Sequence, residues 1–389
     1  MSLDSLRNDW VLRHFESGKP SSGVPRAQVF FGNQSYKNDS LHIFKETEMT
    51  TSRRAFNVRA LAASVCVAAA SGLGAAPVIA QTQVRELTVN VFPGGFNWPI
   101  WVAQEQGFFA KHGLKINTID TPNSRAQLTG LIEGKFDVAM TAIDNLIAYR
   151  EGQGGIEIDA RELIAVMGAD NGFLRLTSVP EVKSIAELKG KQLSVDALTT
   201  GYAFVLLEIM ARNGLMLDRD YTTVSAGGVM GRYQSLLKKD HAATMLISPF
   251  EVMAKTQGFN VLADADSALG DYQGLVAGVR RSWAQQNSRE LTGYIRAYRE
   301  ALNWLYNPAN KQVALDLFVG KVKGATPQSA ATSYDVLLHP KTGFTRDAKI
   351  SDTGVRTVIA LREKFGKPAK KMQSIEAYYD PTWYNAASR

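Results

Sequence analysis

From Val84 onward the chain alternates short apolar runs with stretches of helical periodicity, and this alternation constrains the fold more than any other feature. Leu87–Phe92, Leu114–Ile119, Phe136–Thr141 and Leu163–Ala169 have the length and aliphatic content of buried strands. Trp98–His112, Ser124–Gly134 and Ile143–Glu151 between them read as helices. Parallel strands need a long crossover and a helix supplies it, so the pattern predicts an α/β fold with a largely parallel sheet covered on both faces. The pattern restarts near Val179. Gln192–Asp196, Tyr221–Val224, Ala242–Ile247 and Phe259–Leu262 are predicted strands, with helices at Tyr202–Asn213, Gly231–Lys239 and Pro249–Thr256. A strand at Leu275–Val279 precedes helices at Ser288–Tyr306, Lys311–Phe318, Gln328–Leu338 and Asp352–Phe365. One passage is echoed: Leu131-Ile132 then Ala139-Met140 recurs as Leu236-Leu237 then Thr244-Met245, each followed by a polar turn and a helix, which points to two similar lobes.

The segment before this pattern is an address. Ser52-Arg53-Arg54-Ala55-Phe56-Asn57 opens an Ala-rich apolar run from Val58 to Ala70, and small residues lead to Val78-Ile79-Ala80 before Gln81. That is the layout of a secretory leader, with cleavage expected after Ala80 and export to the periplasm. The arginine pair favours the twin-arginine route; a general secretory leader that contains two arginines is the alternative. A leader acts from the N-terminus, so residues 1–48 are expected to be a non-native extension, with the signal peptide at 49–80 and its start at Met49. The sole cysteine, Cys66, falls in the removed segment, so no disulfide, cysteine-zinc site or thiol chemistry is expected. The net charge of +7 is spread along the chain without a Lys/Arg block, which argues against nucleic-acid binding.

Two motifs carry a family resemblance. One is Phe92-Pro93-Gly94-Gly95-Phe96-Asn97-Trp98-Pro99, running into Ala103-Gln104-Glu105-Gln106-Gly107-Phe108-Phe109 and Gly113-Leu114. The other is Gly134-Lys135-Phe136-Asp137-Val138-Ala139. Both resemble the binding proteins of alkanesulfonate, nitrate and taurine importers and of thiamine-pyrimidine-precursor importers, over about Leu87 to Phe365. The resemblance implies a two-lobed type II periplasmic binding protein, each lobe a mixed, mostly parallel sheet flanked by helices. Residues 81–178 and 275–389 would form lobe 1 and residues 179–274 lobe 2, closing on a ligand in the cleft. It further implies a monomeric solute receptor whose partners are an ABC permease and its ATPase, without cofactor or metal.

In open α/β sheets ligands sit beyond the carboxyl ends of strands, at helix N-termini, which selects four turns. In the first, Phe96, Asn97 and Trp98 follow two glycines that would let backbone approach a ligand, and Trp98 offers an aromatic face; a core tryptophan is the alternative. In the second, Thr141, Asp144 and Asn145 face the ligand or merely cap a helix. In the third, Thr199, Thr200, Gly201 and Tyr202 present hydroxyls and free N–H groups suited to an anion. In the fourth, Ser248 and Glu251 form a capping box that could also contact ligand. Tyr272 lies where the chain returns to lobe 1, as hinge, ligand contact or surface residue. Asn123 and Arg125 mark a further turn, where Arg125 could meet a carboxylate or sulfonate or form a surface ion pair.

Catalysis is not expected. His112, His241 and His339 are far apart and lack metal-ligand spacing, and no nucleophile elbow, phosphate loop or dinucleotide glycine pattern follows a strand. Relatives of the fold that are enzymes carry a cysteine-rich motif missing here or lack a leader. The expected ligand is a small anion with a carboxylate or sulfonate. The alternatives are a neutral or cationic pyrimidine-type thiamine precursor, drawn by Asp144 and Glu251, or a ligand presented to a membrane sensor.

Overall fold

The computed structural model describes residues 84–389. The expected extension, leader, Cys66 and cleavage point lie outside the described residues.

Two five-stranded sheets organise the chain. The first holds β1 (Arg85–Val91), β2 (Leu114–Asp120), β3 (Val138–Ala142), β4 (Leu163–Gly168) and β10 (Leu275–Arg280), in the order β2-β1-β3-β10-β4. The second holds β5 (Arg175–Ser178), β6 (Gln192–Val195), β7 (Thr222–Ser225), β8 (Ala243–Leu246) and β9 (Asn260–Asp264), in the order β7-β6-β8-β5-β9. The orders are equivalent, and each sheet is parallel except for one inserted strand: β10 runs antiparallel to β3 and β4, β5 to β8 and β9. The sequence echo falls on equivalent places, since β3 and β8 occupy the same position in their sheets. Each lobe is therefore a mixed, mostly parallel sheet flanked by helices, as expected of the type II periplasmic-binding fold.

The inserted strands make the crossovers. The chain leaves the first sheet after Gly168 and joins the second at Arg175, ahead of the boundary expected at 178/179. The short β5, with an arginine inside an otherwise buried run, lacks the pattern that announces the other strands. After β9 the chain returns through Gly270–Gly274 to β10, and residues beyond it complete the first lobe. Ala165 of β4 donates to the Tyr378 carbonyl at 2.9 Å and accepts from Asp380 N–H at 3.0 Å.

Local sequence explains the pieces that position the site. In the Gly-Lys-Phe-Asp motif, the Asp137 carboxylate accepts from Thr88 N–H at 2.7 Å, and Asp137 N–H donates to the Thr88 carbonyl at 3.0 Å. The motif thus docks the start of β3 onto β1. The helix expected over Trp98–His112 breaks into Trp98–Glu105 and Phe108–Lys111, because Gly107 adopts a left-handed φ of 72°. The longest helix, Ser288–Leu305, buries Leu291, Ile295, Tyr298, Leu302 and Leu305, a helical stripe that packs on the Trp98–Glu105 helix. Among the described residues no helix is long and apolar enough to cross a membrane.

Candidate functional site

The carboxyl ends of the strands of both sheets converge on one cavity. Lobe 1 contributes Phe92, Phe96, Ala142 and Asn145. Lobe 2 contributes Asp196, Thr200, Gly201, Tyr202, Val229, Arg232 and Ile247, the first crossover adds Asp170 and Phe173, and Leu275 enters from the start of β10. Three phenylalanines and four aliphatic side chains make most of the wall apolar, with a few polar groups set in it, the usual composition of a small-molecule site.

The third turn contributes as the strand-end argument expects. Thr200 caps the helix Gly201–Arg212: its hydroxyl accepts from Ala203 N–H at 3.4 Å and donates to the Ala197 carbonyl at 2.9 Å. The N–H groups of Gly201 and Tyr202 have no protein acceptor among the described residues. They face the cavity at the positive end of the helix dipole. Burial raises the Tyr202 hydroxyl pKa well above its ordinary value, so it stays a neutral donor. Thr199 lines a smaller adjoining cavity instead, with Arg125 and Tyr149, and that cavity shares Asn145 and Thr200 with the main one.

Other expected residues lie elsewhere. Trp98 is fully buried, its ring 4.4 Å from Phe318 and 5.8 Å from Tyr334, so it is core and not a ligand face. Asn97 turns back to donate to the Phe92 carbonyl at 2.6 Å and borders a separate cleft with Trp101 and Lys321. Of that turn only Phe96 reaches the cavity, together with Phe92 before it. Gly95 lets the lobes approach each other: a Cβ there would stand 2.8 Å from Phe318 and 3.0 Å from the Ser248 carbonyl. Thr141 is buried and accepts from Asn145 Nδ2 at 3.0 Å; the N-cap of the following helix is Ala142.

Asp144 is not the helix cap and does not reach the cavity wall. Its carboxylate grips the guanidinium of Arg362, Oδ1 to Nε at 2.7 Å and Oδ2 to Nη2 at 3.2 Å, with both side chains at most 1% exposed. Arg362 also donates to Gln153 Oε1 at 3.0 Å and to the Thr199 carbonyl, and lies over the Phe204 ring. Ser248 and Glu251 sit behind the wall: the Ser248 hydroxyl donates to the Glu251 carboxylate, and burial pushes Glu251 up to about 7. Pro249, not Ser248, is the N-cap position, so there is no capping box. Tyr272 is buried against Gly172, its ring centroid 6.4 Å from that of Tyr202 and its hydroxyl unpartnered among the described residues. Asn123 caps its helix, accepting from Ala126 N–H at 2.9 Å.

Five polar or aromatic wall residues were not among the candidates read from sequence: Phe92, Arg232, Asp196, Asp170 and Phe173. Arg232 is 3% exposed; its Nε donates to the Met245 carbonyl at 3.2 Å and Nη1 to the Gly227 carbonyl at 2.9 Å. Burial lowers its pKa from the ordinary guanidinium value and the charge of Asp196 acts the other way. A signal existed: Val229, Arg232, Tyr233 and Leu236 form the buried stripe of their helix, and an arginine at an apolar-stripe position is rare without a partner. Asp196 ends the β6 run, where the strand-end rule already pointed. Asp170 braces the hinge, accepting from Gly172 N–H at 2.6 Å and from Leu275 N–H at 3.0 Å across the two crossovers. Burial still pushes it up to about 6.

Comparison with known proteins agrees with this architecture. The alkanesulfonate-binding protein of Xanthomonas axonopodis pv. citri bound to MOPS superposes with a TM-score of 0.63 at 16% identity, covering 76% of this chain and 99% of its own. The periplasmic nitrate-binding protein of Synechocystis PCC 6803 does so with a TM-score of 0.65 at 13% identity, covering 78% of this chain and 88% of its own. A curated 4-amino-5-hydroxymethyl-2-methylpyrimidine phosphate synthase from Uromyces fabae is 26% identical over 149 residues, 38% of this chain. The chain spans 41% of that curated relative's length. Residues 97–311, more than half of the chain, match the family described as NMT1/THI5 like, and the chain belongs to that family and has the type II periplasmic-binding fold.

Proposed function

We propose that this protein is the exported solute receptor of an ABC-type importer, and that it captures a small organic anion, carboxylate- or sulfonate-like, between its lobes. The observation that carries this reading is the wall of the cavity: Arg232, a buried guanidinium with no ion-pair partner among the described residues, shares it with the open helix N-terminus at Gly201 and Tyr202. Arginine does not shed its charge in proteins, so such a group calls for an anion. The fold shared with a nitrate-binding and an alkanesulfonate-binding protein fits the same reading.

The cationic alternative rested on Asp144 and Glu251. Asp144 is taken by Arg362, and Glu251 is behind the wall with a raised pKa, so neither offers a charge to the cavity. The anion ranks first on Arg232 and the open helix N-terminus, not on this elimination alone. The protein would act as a monomer in the periplasm, delivering its ligand to a permease and ATPase without turnover.

The test is recovery of the ligand. Protein purified from the native extracytoplasmic fraction is denatured and its small molecules identified by mass spectrometry; the compound found is returned to stripped, refolded protein. Binding with a fall in radius of gyration by small-angle scattering is the expected result. Absence of any co-purified compound, or chemical conversion of it by the protein, would refute the receptor reading.

A further inference from the structure

Arg232 is not alone in the wall. Asp196 lines the same cavity, is half-buried, and makes no hydrogen bond among the described residues; its Oδ1 is fully enclosed and without a donor. The other cavity carboxylate, Asp170, has both oxygens occupied by Gly172 and Leu275 N–H groups and serves the hinge. Among the described residues Asp196 is thus the wall's free carboxylate, as Arg232 is its free cation.

The two do not pair with each other. Two backbone carbonyls hold Arg232 through Nε and Nη1, which leaves Nη2 without a protein acceptor among the described residues. A carboxylate accepts only, and a guanidinium donates only, so each needs a group of opposite kind from outside the protein. A plain anion would satisfy Arg232 while sitting near the charge of Asp196. A plain cation would satisfy Asp196 while sitting near Arg232. Only a molecule that carries both groups meets both demands, and Phe92, Phe96 and Phe173 supply apolar faces for the body that joins them.

We infer that the ligand is amphoteric: a flat or compact apolar body bearing a carboxylate or sulfonate for Arg232 and the Gly201 N-terminus, and an amino or other N–H donor for Asp196. The inference rests on the receptor reading and narrows it to a ligand class. It makes Arg232 and Asp196 the specificity-determining pair of the cavity.

Three probes on one body separate the claims: 4-(aminomethyl)benzoate, benzoate and benzylamine, titrated by calorimetry into the purified, ligand-stripped protein. The amphoteric probe is expected to bind at least about tenfold more tightly than either other compound, one lost charge-assisted contact being worth that much or more. Asp196→Asn should erase most of its advantage over benzoate. Arg232→Gln should weaken both carboxylates by about tenfold or more and leave benzylamine no weaker, since it removes a like charge from the wall. Asp196→Asn is a near-isosteric change at a half-buried position and keeps the inference testable if Arg232→Gln does not fold. Benzoate binding as tightly as the amphoteric probe, an unchanged preference in Asp196→Asn, or no binding by any probe would overturn it. The two readings fail separately. A co-purified compound that compacts the protein but lacks either group sinks the amphoteric assignment alone. The absence of any compacting compound sinks the receptor.

Discussion

The link between Asp144 and Arg362 can be broken with a predictable cost. The pair is a bidentate fork with contacts of 2.7 and 3.2 Å, wholly out of water. Two unit charges about 4 Å apart attract by about 4 kcal/mol at an effective dielectric of 20. Removing one partner of such a buried pair costs about 3–5 kcal/mol, because the other charge stays enclosed. Asp144→Asn keeps one acceptor for Nε but turns an amide donor toward Nη2. Arg362 retains Gln153, the Thr199 carbonyl and the Phe204 ring, so the loss belongs at the lower end, about 3 kcal/mol. Arg362→Met strands the carboxylate instead. The double variant should be more stable than the sum of the single losses predicts by about 1–3 kcal/mol, since it strands neither charge. Urea unfolding followed by both fluorescence and far-UV circular dichroism measures the cycle and tests whether the lobes unfold together. A loss below about 1 kcal/mol for Asp144→Asn, or an additive cycle, would refute the buried-pair reasoning. After correction for the unfolded fraction, any change in anion affinity in Asp144→Asn should come through the closure bias that Arg362 supplies, because Asp144 itself does not line the cavity.

Two further outcomes follow from particular residues. Glu251 has a folded-state pKa of about 7 against 4.5 when unfolded, so the native state holds a proton that the unfolded state releases. Its contribution is intact below pH 4.5 and is lost as pH rises through 7, a change of about 3 kcal/mol. Glu251→Gln can still accept from Ser248; it should match wild type near pH 4 and exceed it by up to about 3 kcal/mol at pH 8, and a pH-independent difference in denaturant unfolding would contradict the assignment. For the leader, Arg53→Lys with Arg54→Lys should retain precursor in the cytoplasm, read by fractionation and immunoblot; unimpaired export would reject the twin-arginine route and leave the leader itself standing.

The fold was largely legible because its signals are local and periodic. Asp352–Phe365 was placed to the residue, and nine of the ten strands were found within a residue or two of their ends, since an apolar run between turns is visible in one dimension. Arg175–Ser178 was missed because its strand character comes from neighbours on both sides in the sheet, not from its own four residues. The site was less legible. The strand-end rule picked turns that border the cavity, yet it cannot say which way a side chain points after the strand. Thr200, Gly201 and Tyr202 face the cavity because a helix N-terminus fixes backbone N–H direction. Trp98 and Asp144 sit on helices whose inward faces are lobe core, so they bury against Phe318 and Arg362. Arg362 is 218 residues from Asp144 in sequence, and no local pattern could pair them.

That pairing bears on how a ligand would act. A ligand shifts an equilibrium only by the difference in its affinity for the two states, so it favours closure only if its contacts come from both lobes. The cavity meets this condition, with Phe92, Phe96 and Asn145 on one side and Asp196, Tyr202 and Arg232 on the other. The protein also makes its own contacts across the cleft. Arg362 reaches the Thr199 carbonyl, Lys364 reaches Glu208 at 2.6 Å, and Gly228 N–H donates to the Pro122 carbonyl at 3.0 Å. Two of these end on the segment that begins or forms the Gly201–Arg212 helix, whose N-terminus faces the cavity. The helix that would hold the anion is therefore the element that the first lobe grips from behind, so anion capture and lobe closure act on one rigid piece. The half-exposed Lys364 adds little to that grip. Most of the bias falls to Arg362, whose position depends in turn on Asp144, and the carboxylate read from sequence as a ligand contact serves instead to hold the arginine that couples the lobes.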